Sequence, residues 1–215
     1  MILSHKDLVK AWRQGKIRFS PDISESQIGL SSIDLRLGMV ITRLIESKAV
    51  VVQPARGFDP TNLVQTDDFS QISVLGGNPN FRLLPQNFRL ALTFEEVTLP
   101  PDLAANVQGK SSLARAGLAV HITAPHIHPA WSGRITLELY NHGPWELELV
   151  PGEDLICQLI LYRVTSPVPQ PVADALSTYV RQRTPFPKRE AERPIQRAGH
   201  SASGSRPHSG RRKRK

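Results

Sequence analysis

The sequence predicts a mainly β protein, a sandwich or barrel, and three observations carry that reading. The apolar runs are short and are broken at regular intervals by Gly, Pro, Asn and Asp. Several of them alternate polar and apolar residues, the period of a half-buried strand. No strand–helix–strand rhythm and no repeat of fixed period runs through the chain, which argues against a parallel α/β sheet. The 215 residues, 40% hydrophobic and 21% charged, suffice for one domain with a sizeable core and a tail to spare.

Taken in order, "LSHKDLVKAWRQGKI" reads as an N-terminal helix. Ser4 stands at its cap position, Leu8, Ala11 and Trp12 recur at helical spacing, and Gly15 ends it. "SSIDLRLGMVITRLI" alternates as a strand, with Asp34 and Arg36 on one face, where a structural salt bridge between them is the expectation. Strands are then predicted at "KAVVVQP", "QISVL", "NFRLALTFEEVTL", "LAVHITA", "GRITLELYN" and "WELELVPGEDLICQLILYRV". "LGGNPNF" reads as a loop and "SSLARAG" as a short helix. From about residue 165 the composition shifts, first to the proline-rich "TSPVPQPV" and then to "GHSASGSRPHSGRRKRK", whose Gly, Ser and Arg content is that of a disordered basic tail. This divides the chain into a folded domain at 1–165, a connecting segment at 166–189 and the tail at 190–215.

Charge is distributed unevenly. The chain holds 27 Lys+Arg and 19 Asp+Glu, but residues 1–185 carry 17 of each, so the excess lies in residues 186–215. The basic character therefore describes the tail, and the folded body gives no ground for a nucleic-acid-binding surface. The "RRKRK" end is open to two readings, a solvated tail or nonspecific contact with nucleic acid. The single cysteine, Cys157, excludes an internal disulfide and a Cys-rich zinc site, and reads as a buried thiol. No apolar run approaches a membrane span, and the N-terminus lacks the apolar centre of a signal peptide. A reducing, cytoplasmic setting with no membrane partner is the expectation.

Three stretches hold side chains suited to chemistry. In "GRITLELYN", strand alternation puts Arg134, Thr136, Glu138 and Tyr140 on one face and Ile135, Leu137 and Leu139 on the other. A carboxylate fixed on a strand beside a substrate can serve as general base and return the proton as acid. On spacing alone an exposed strand glutamate paired with an arginine is the simpler reading. In "QGKSSLARAG", Lys110, Ser111 and Ser112 at a helix start, with Arg115 one turn on, suit an anion; an ordinary capped helix is the common alternative. The glycine spacing of a Walker loop is absent. In "LAVHITAPHIHPAW", His121, His126 and His128 first suggest a metal, but no cysteine or nearby carboxylate completes a ligand set.

Taken together and in order, "SSIDLRLG", "LALTFEEVTLPPDLAANVQGKSSLARAGLAVHITAPHIHPAWSGRITLELYNHG" and "LVPGEDLICQLILY" resemble the dCTP deaminase family of the dUTPase-like superfamily. The opening "MILSHKDLVKAWRQGKI" fits too, and the resemblance runs from residue 1 to about 163 and more loosely to about 189. It implies a distorted β-barrel or jelly roll of the dUTPase-like type, with an N-terminal helix and one or two short helices. It also implies a homotrimer with sites between subunits, and deamination of dCTP to dUTP and ammonia.

The same resemblance implies roles for single residues. Glu138 matches the glutamate that activates water for attack on C4 of cytosine. Ser111 and Arg115 match nucleotide-site residues of the "SSLAR" motif, flanked by Lys110 and Ser112. Ala124 matches a position whose backbone orients the water and the base, and Thr136 and Leu137 match the strand beside the base. Gln182 falls where a C-terminal flap, here 166–189, meets the triphosphate. The family uses Mg²⁺ on the phosphates and no zinc, in keeping with the missing zinc-deaminase pattern. The chain departs from the family pattern at Lys110, usually Arg, and at His128, in "IHPA" where the family reads "IDPG". The flap carries Pro171 and Thr178 where tyrosine and lysine are expected, with Lys188 and Arg189 as substitute cations. The Asp that His128 replaces lies near the sugar 3′-hydroxyl and serves the diphosphatase step of dUTP-hydrolysing relatives. His128 therefore speaks against a second, dUMP-forming activity, the alternative being a bifunctional enzyme or a nucleotide-binding relative with weak turnover.

Overall fold

The computed structural model describes residues 1–45, 63–77 and 79–169. The predicted strand "KAVVVQP", Gln182 and the basic tail lie outside them. Helix α1, His5–Arg13, forms where predicted and buries Leu8 and Ala11. Ser4 is its N-cap residue, but its hydroxyl donates to the Asp7 carboxylate at 2.8 Å instead of accepting a backbone N–H. Trp12 is half-buried and anchors its indole N–H on Asp22 at 2.9 Å. Gly15, at φ 67°, adopts the left-handed conformation that terminates the helix.

The strands follow as β1 (Arg18–Ser20), β2 (Ile33–Leu44), β3 (Val64–Asp68), β4 (Phe81–Leu83), β5 (Phe88–Thr98), β6 (Leu103–Gly109), β7 (Leu118–Ala119), β8 (His126–Ile127), β9 (Ser132–Asn141), β10 (Leu147–Leu149) and β11 (Leu155–Arg163). A nine-stranded sheet runs β7-β9-β5-β2-β11-β6-β8, with β1 on β5 and β3 on β2; β10 and β4 form a separate pair. Each recorded pairing of strands is antiparallel. The fold is mainly β and curls as a distorted barrel, as expected. Alternate residues feed one core: Ile33, Leu35 and Leu37 of β2, Ile135, Leu137 and Leu139 of β9, and Leu159 and Leu161 of β11 are all buried. Cys157 sits in that core, its thiol pushed up by burial first and then by Glu95 and Asp34.

The structure departs from the sequence reading in several elements. "QISVL" is not a strand: Phe69–Val74 form helix α2. Asp68 accepts the Ser70 backbone N–H at 3.0 Å and starts the turn, while Phe69 and Ile72, three apart, pack inward, with Phe69 edge-on to Phe81 at 5.9 Å. "LAVHITA" keeps strand structure only at Leu118–Ala119. "WELELVPGEDLICQLILYRV" is two strands in different sheets, parted by a turn in which Asp154 accepts the Val150 N–H at 2.7 Å. Helix α3, Ser111–Arg115, forms as expected.

Asp34 and Arg36 do share a strand face, yet they do not pair. Asp34 binds Lys110, and Arg36 binds Glu95 through Nε at 2.7 Å. Register shifts in β5, between Leu92 and Glu96, turn Glu95 fully inward. There its carboxylate also accepts the Arg36 backbone N–H at 2.9 Å and the Gln27 amide at 3.3 Å.

Candidate active site

Strand β9 presents its residues as the alternation requires: Arg134, Thr136, Glu138 and Tyr140 are half-buried, and Ile135, Leu137 and Leu139 are buried. Glu138 lies in a cross-strand row with Leu90 of β5, Thr42 of β2 and Thr66 of β3. Leu90 and Thr42 are buried, so one flank of the carboxylate is low in water. Its other neighbour is the chain after β7. The Val120 carbonyl accepts the Glu138 N–H at 2.9 Å, and the Ile122 N–H donates to Oε2 at 2.7 Å. Oε1 has no partner among the described residues. One carboxylate oxygen is thus held and the other is available to a ligand or a water.

The second group is the turn into α3. Lys110 is its N-cap residue, with an extended backbone, and its ammonium pairs with Asp34. Ser111, Ser112 and Arg115 are exposed, and Arg115 has no ion-pair partner among the described residues. Between α3 and β7 lies an open cleft of about 310 Å³, lined among others by Gly109, Ala114, Gly117, Val120, His121 and His142. Gly117, at φ 99°, and Gly143 touch backbone to backbone at its edge; a Cβ on Gly117 would lie 2.3 Å from the Gly143 nitrogen. Val120 links the two groups, lining the cleft while its carbonyl holds the Glu138 backbone.

The remaining predicted site residues are placed as follows. Ala124 is exposed in the loop between β7 and β8. Thr136 shares the Glu138 face, whereas the Leu137 side chain is in the core, which leaves only its backbone for a ligand. His128 is exposed, with its ring edge-on to His126 at 4.8 Å. Nδ1 of His126 meets the Tyr162 hydroxyl at 2.7 Å. Partial burial and then the neighbouring His128 hold the His126 pKa below its ordinary value. Nδ1 of His121 is buried without a hydrogen-bond partner among the described residues. Among the described residues no three His, Cys, Asp or Glu side chains gather as a metal-binding group. Sequence reasoning missed Asp34 as the partner of Lys110, Glu95 as the partner of Arg36, and the Ile122 N–H on Glu138. The last is a backbone contact with no side-chain signal to find it by.

The class of fold is a curled antiparallel sheet that presents Glu138 from strand β9 and carries the short helix α3 after β6. A crystal structure of 2′-deoxycytidine 5′-triphosphate deaminase from Agrobacterium tumefaciens shares that fold, with a TM-score of 0.57 at 19% identity, over 81% of this chain; the chain spans about half (52%) of that structure. A dCTP deaminase-like family model matches residues 2–164, and the chain belongs to that family. Among its relatives, "dCTP deaminase, dUMP-forming" of Methanosphaera stadtmanae is 37% identical over 86% of this chain and 91% of its own length. "dCTP deaminase" of Rhodospirillum rubrum is 37% identical over 89% and 97%. "dCTP deaminase, dUMP-forming" of Dictyoglomus turgidum is 40% identical over 86% and 92%.

Proposed function

We propose that the chain catalyses hydrolytic deamination of dCTP, converting dCTP and water to dUTP and ammonia. The observation that carries the mechanism is the Glu138 carboxylate, with Oε2 tied to the Ile122 N–H and Oε1 open. In this reading a water on Oε1 attacks C4 of the cytosine ring as Glu138 takes its proton. Glu138 passes that proton to N3, then shuttles the second hydroxyl proton to the amino group, which leaves as ammonia while the C4 carbonyl forms. The Ala124 carbonyl and Ser111 hold the water in line. Thr136 and the Leu137 backbone face the base, and His128 faces the sugar hydroxyl. Lys110, Ser112, Arg115 and Gln182 meet the triphosphate.

Mg²⁺, when bound, would be held by the triphosphate oxygens and would neutralise part of their charge. This chain's cations then act on the phosphate oxygens that the ion leaves free. In this reading the chain forms a homotrimer, and a neighbouring subunit completes the site at the exposed Ser111, Ser112 and Arg115. The cytoplasm is the compartment this reading assigns, and the tail makes salt-dependent contact with nucleic acid.

A second reading, deamination followed by diphosphate release to give dUMP, is favoured by the names of two of these relatives. His128 in place of the family's Asp favours dUTP. Purified protein is incubated with dCTP and Mg²⁺, and dUTP, dUMP and pyrophosphate are resolved by ion exchange. dUTP with ammonia is the expected product, and dUMP with pyrophosphate would establish the second reading. Glu138→Gln should lower deamination at least about 100-fold. Full activity in that variant would sink the mechanism.

A further inference from the structure

We propose that Asp34 is a positioning residue for Lys110, holding its ammonium where it meets the substrate's triphosphate; this rests on the deaminase reading. Lys110 is the residue through which β6 passes into α3. The β6 side of that junction is tied to the sheet beneath it. The Gly109 carbonyl accepts the Gln158 side-chain amide at 3.1 Å, and Gln158 accepts the Ser32 hydroxyl at 3.0 Å. Gln158 is also the cross-strand partner of Asp34 on one side and of Gln108 on the other. Asp34, Gln158 and Gln108 therefore form one row across β2, β11 and β6, and the row ends two residues before Lys110.

Asp34 and Lys110 are only 23% and 24% exposed, so their pairing is screened less than a surface pair. An ammonium has three donors. One is spent on Asp34, and the other two have no protein partner among the described residues. A lysine stem has four rotatable carbons and no planar fork, so a lysine at this position gains direction only from a partner. Asp34 supplies that direction, and the two remaining donors are left for phosphate oxygens. Asp34 itself does not touch the substrate.

The test measures kcat and KM for dCTP with Mg²⁺ in the full-length chain and in Asp34→Asn, Asp34→Glu, Lys110→Met and Asp34→Asn/Lys110→Met. Asp34→Asn should raise KM about tenfold, the loss of one well-directed charge-assisted contact, with kcat within about twofold of the parent. Asp34→Glu should recover most of that loss. In the Lys110→Met background, Asp34→Asn should add less than about twofold, because the lysine it positions is gone. An unchanged or lower KM in Asp34→Asn overturns the proposal, as do effects of Asp34→Asn and Lys110→Met that simply multiply. A variant that only lowers the melting temperature, with KM intact, shows a structural pair and also overturns it. A parent chain that does not deaminate dCTP refutes the functional reading itself, and that result appears before any variant is compared.

Discussion

Glu95 is a carboxylate at 0% exposure in the interior of a barrel, and the geometry around it predicts an unusual ranking of substitutions. Its oxygens accept Arg36 Nε at 2.7 Å, the Arg36 backbone N–H at 2.9 Å and the Gln27 amide at 3.3 Å. Arg36 is better placed to lose its partner. Its side chain is 26% exposed, its Nη1 reaches the Gly152 carbonyl at 3.3 Å, and its guanidinium lies 4.4 Å over the Phe94 ring. Glu95→Ala therefore removes charge-assisted hydrogen bonds but leaves the guanidinium hydrated and stacked, a loss of about 2–3 kcal/mol. Arg36→Ala leaves the carboxylate buried with two neutral donors, a loss of about 3–5 kcal/mol. Replacing both, as Arg36→Met/Glu95→Leu, strands no charge and should destabilise by less than the sum of the single changes. Urea unfolding followed by tryptophan fluorescence at fixed protein concentration measures all three. A loss below about 1 kcal/mol in Arg36→Ala, or a Glu95→Ala clearly worse than Arg36→Ala, would refute this account of the buried pair.

Gly117→Ala forces a Cβ to 2.3 Å from the Gly143 nitrogen at a φ of 99°, with backbone as the obstacle. It should destabilise by at least about 2 kcal/mol and lower activity through the cleft wall, both read from unfolding curves and turnover. His126, whose pKa is held down by burial and by His128, favours its neutral form in the folded state. The unfolded chain then binds more protons, so this group's stabilisation is present above the ordinary histidine range and is lost as pH falls below it. An NMR titration should find the His126 midpoint below 6.5, rising in His128→Ala. His128→Asp should raise the dUMP share of product about tenfold or more if that residue limits diphosphate release. An unchanged product ratio would separate His128 from that step.

The β class, the first helix and the long strands were legible because each shows its own periodicity, and the 111–115 helix because "SSLARA" runs up to a glycine that ends it. Other elements were not, for reasons that can be named. Strand β6, "LAANVQG", has the weak strand propensity of its alanines and asparagine, and is held by β11 on one side and β8 on the other. Helix α2 starts from Asp68, a residue that lies outside the apolar "QISVL" run and is itself in β3. The strands β1, β4 and β8 are three residues or shorter, too brief for any period to show.

The site divides along the same line. Alternation placed Glu138 on its face, because a face is a local property of one strand. Pairing is not local. Asp34 and Arg36 are two apart on the same strand, a separation at which side chains reach each other less readily than they reach the strands alongside. The sheet order then decides the outcome. Glu95 comes from β5 and Lys110 from the end of β6, with β11 between β6 and β2, and each takes one member of the expected pair. The cation at 110 is paired with a carboxylate 76 positions earlier and not with its neighbours in "GKSSLAR". Substituting within that stretch alone would miss what directs it.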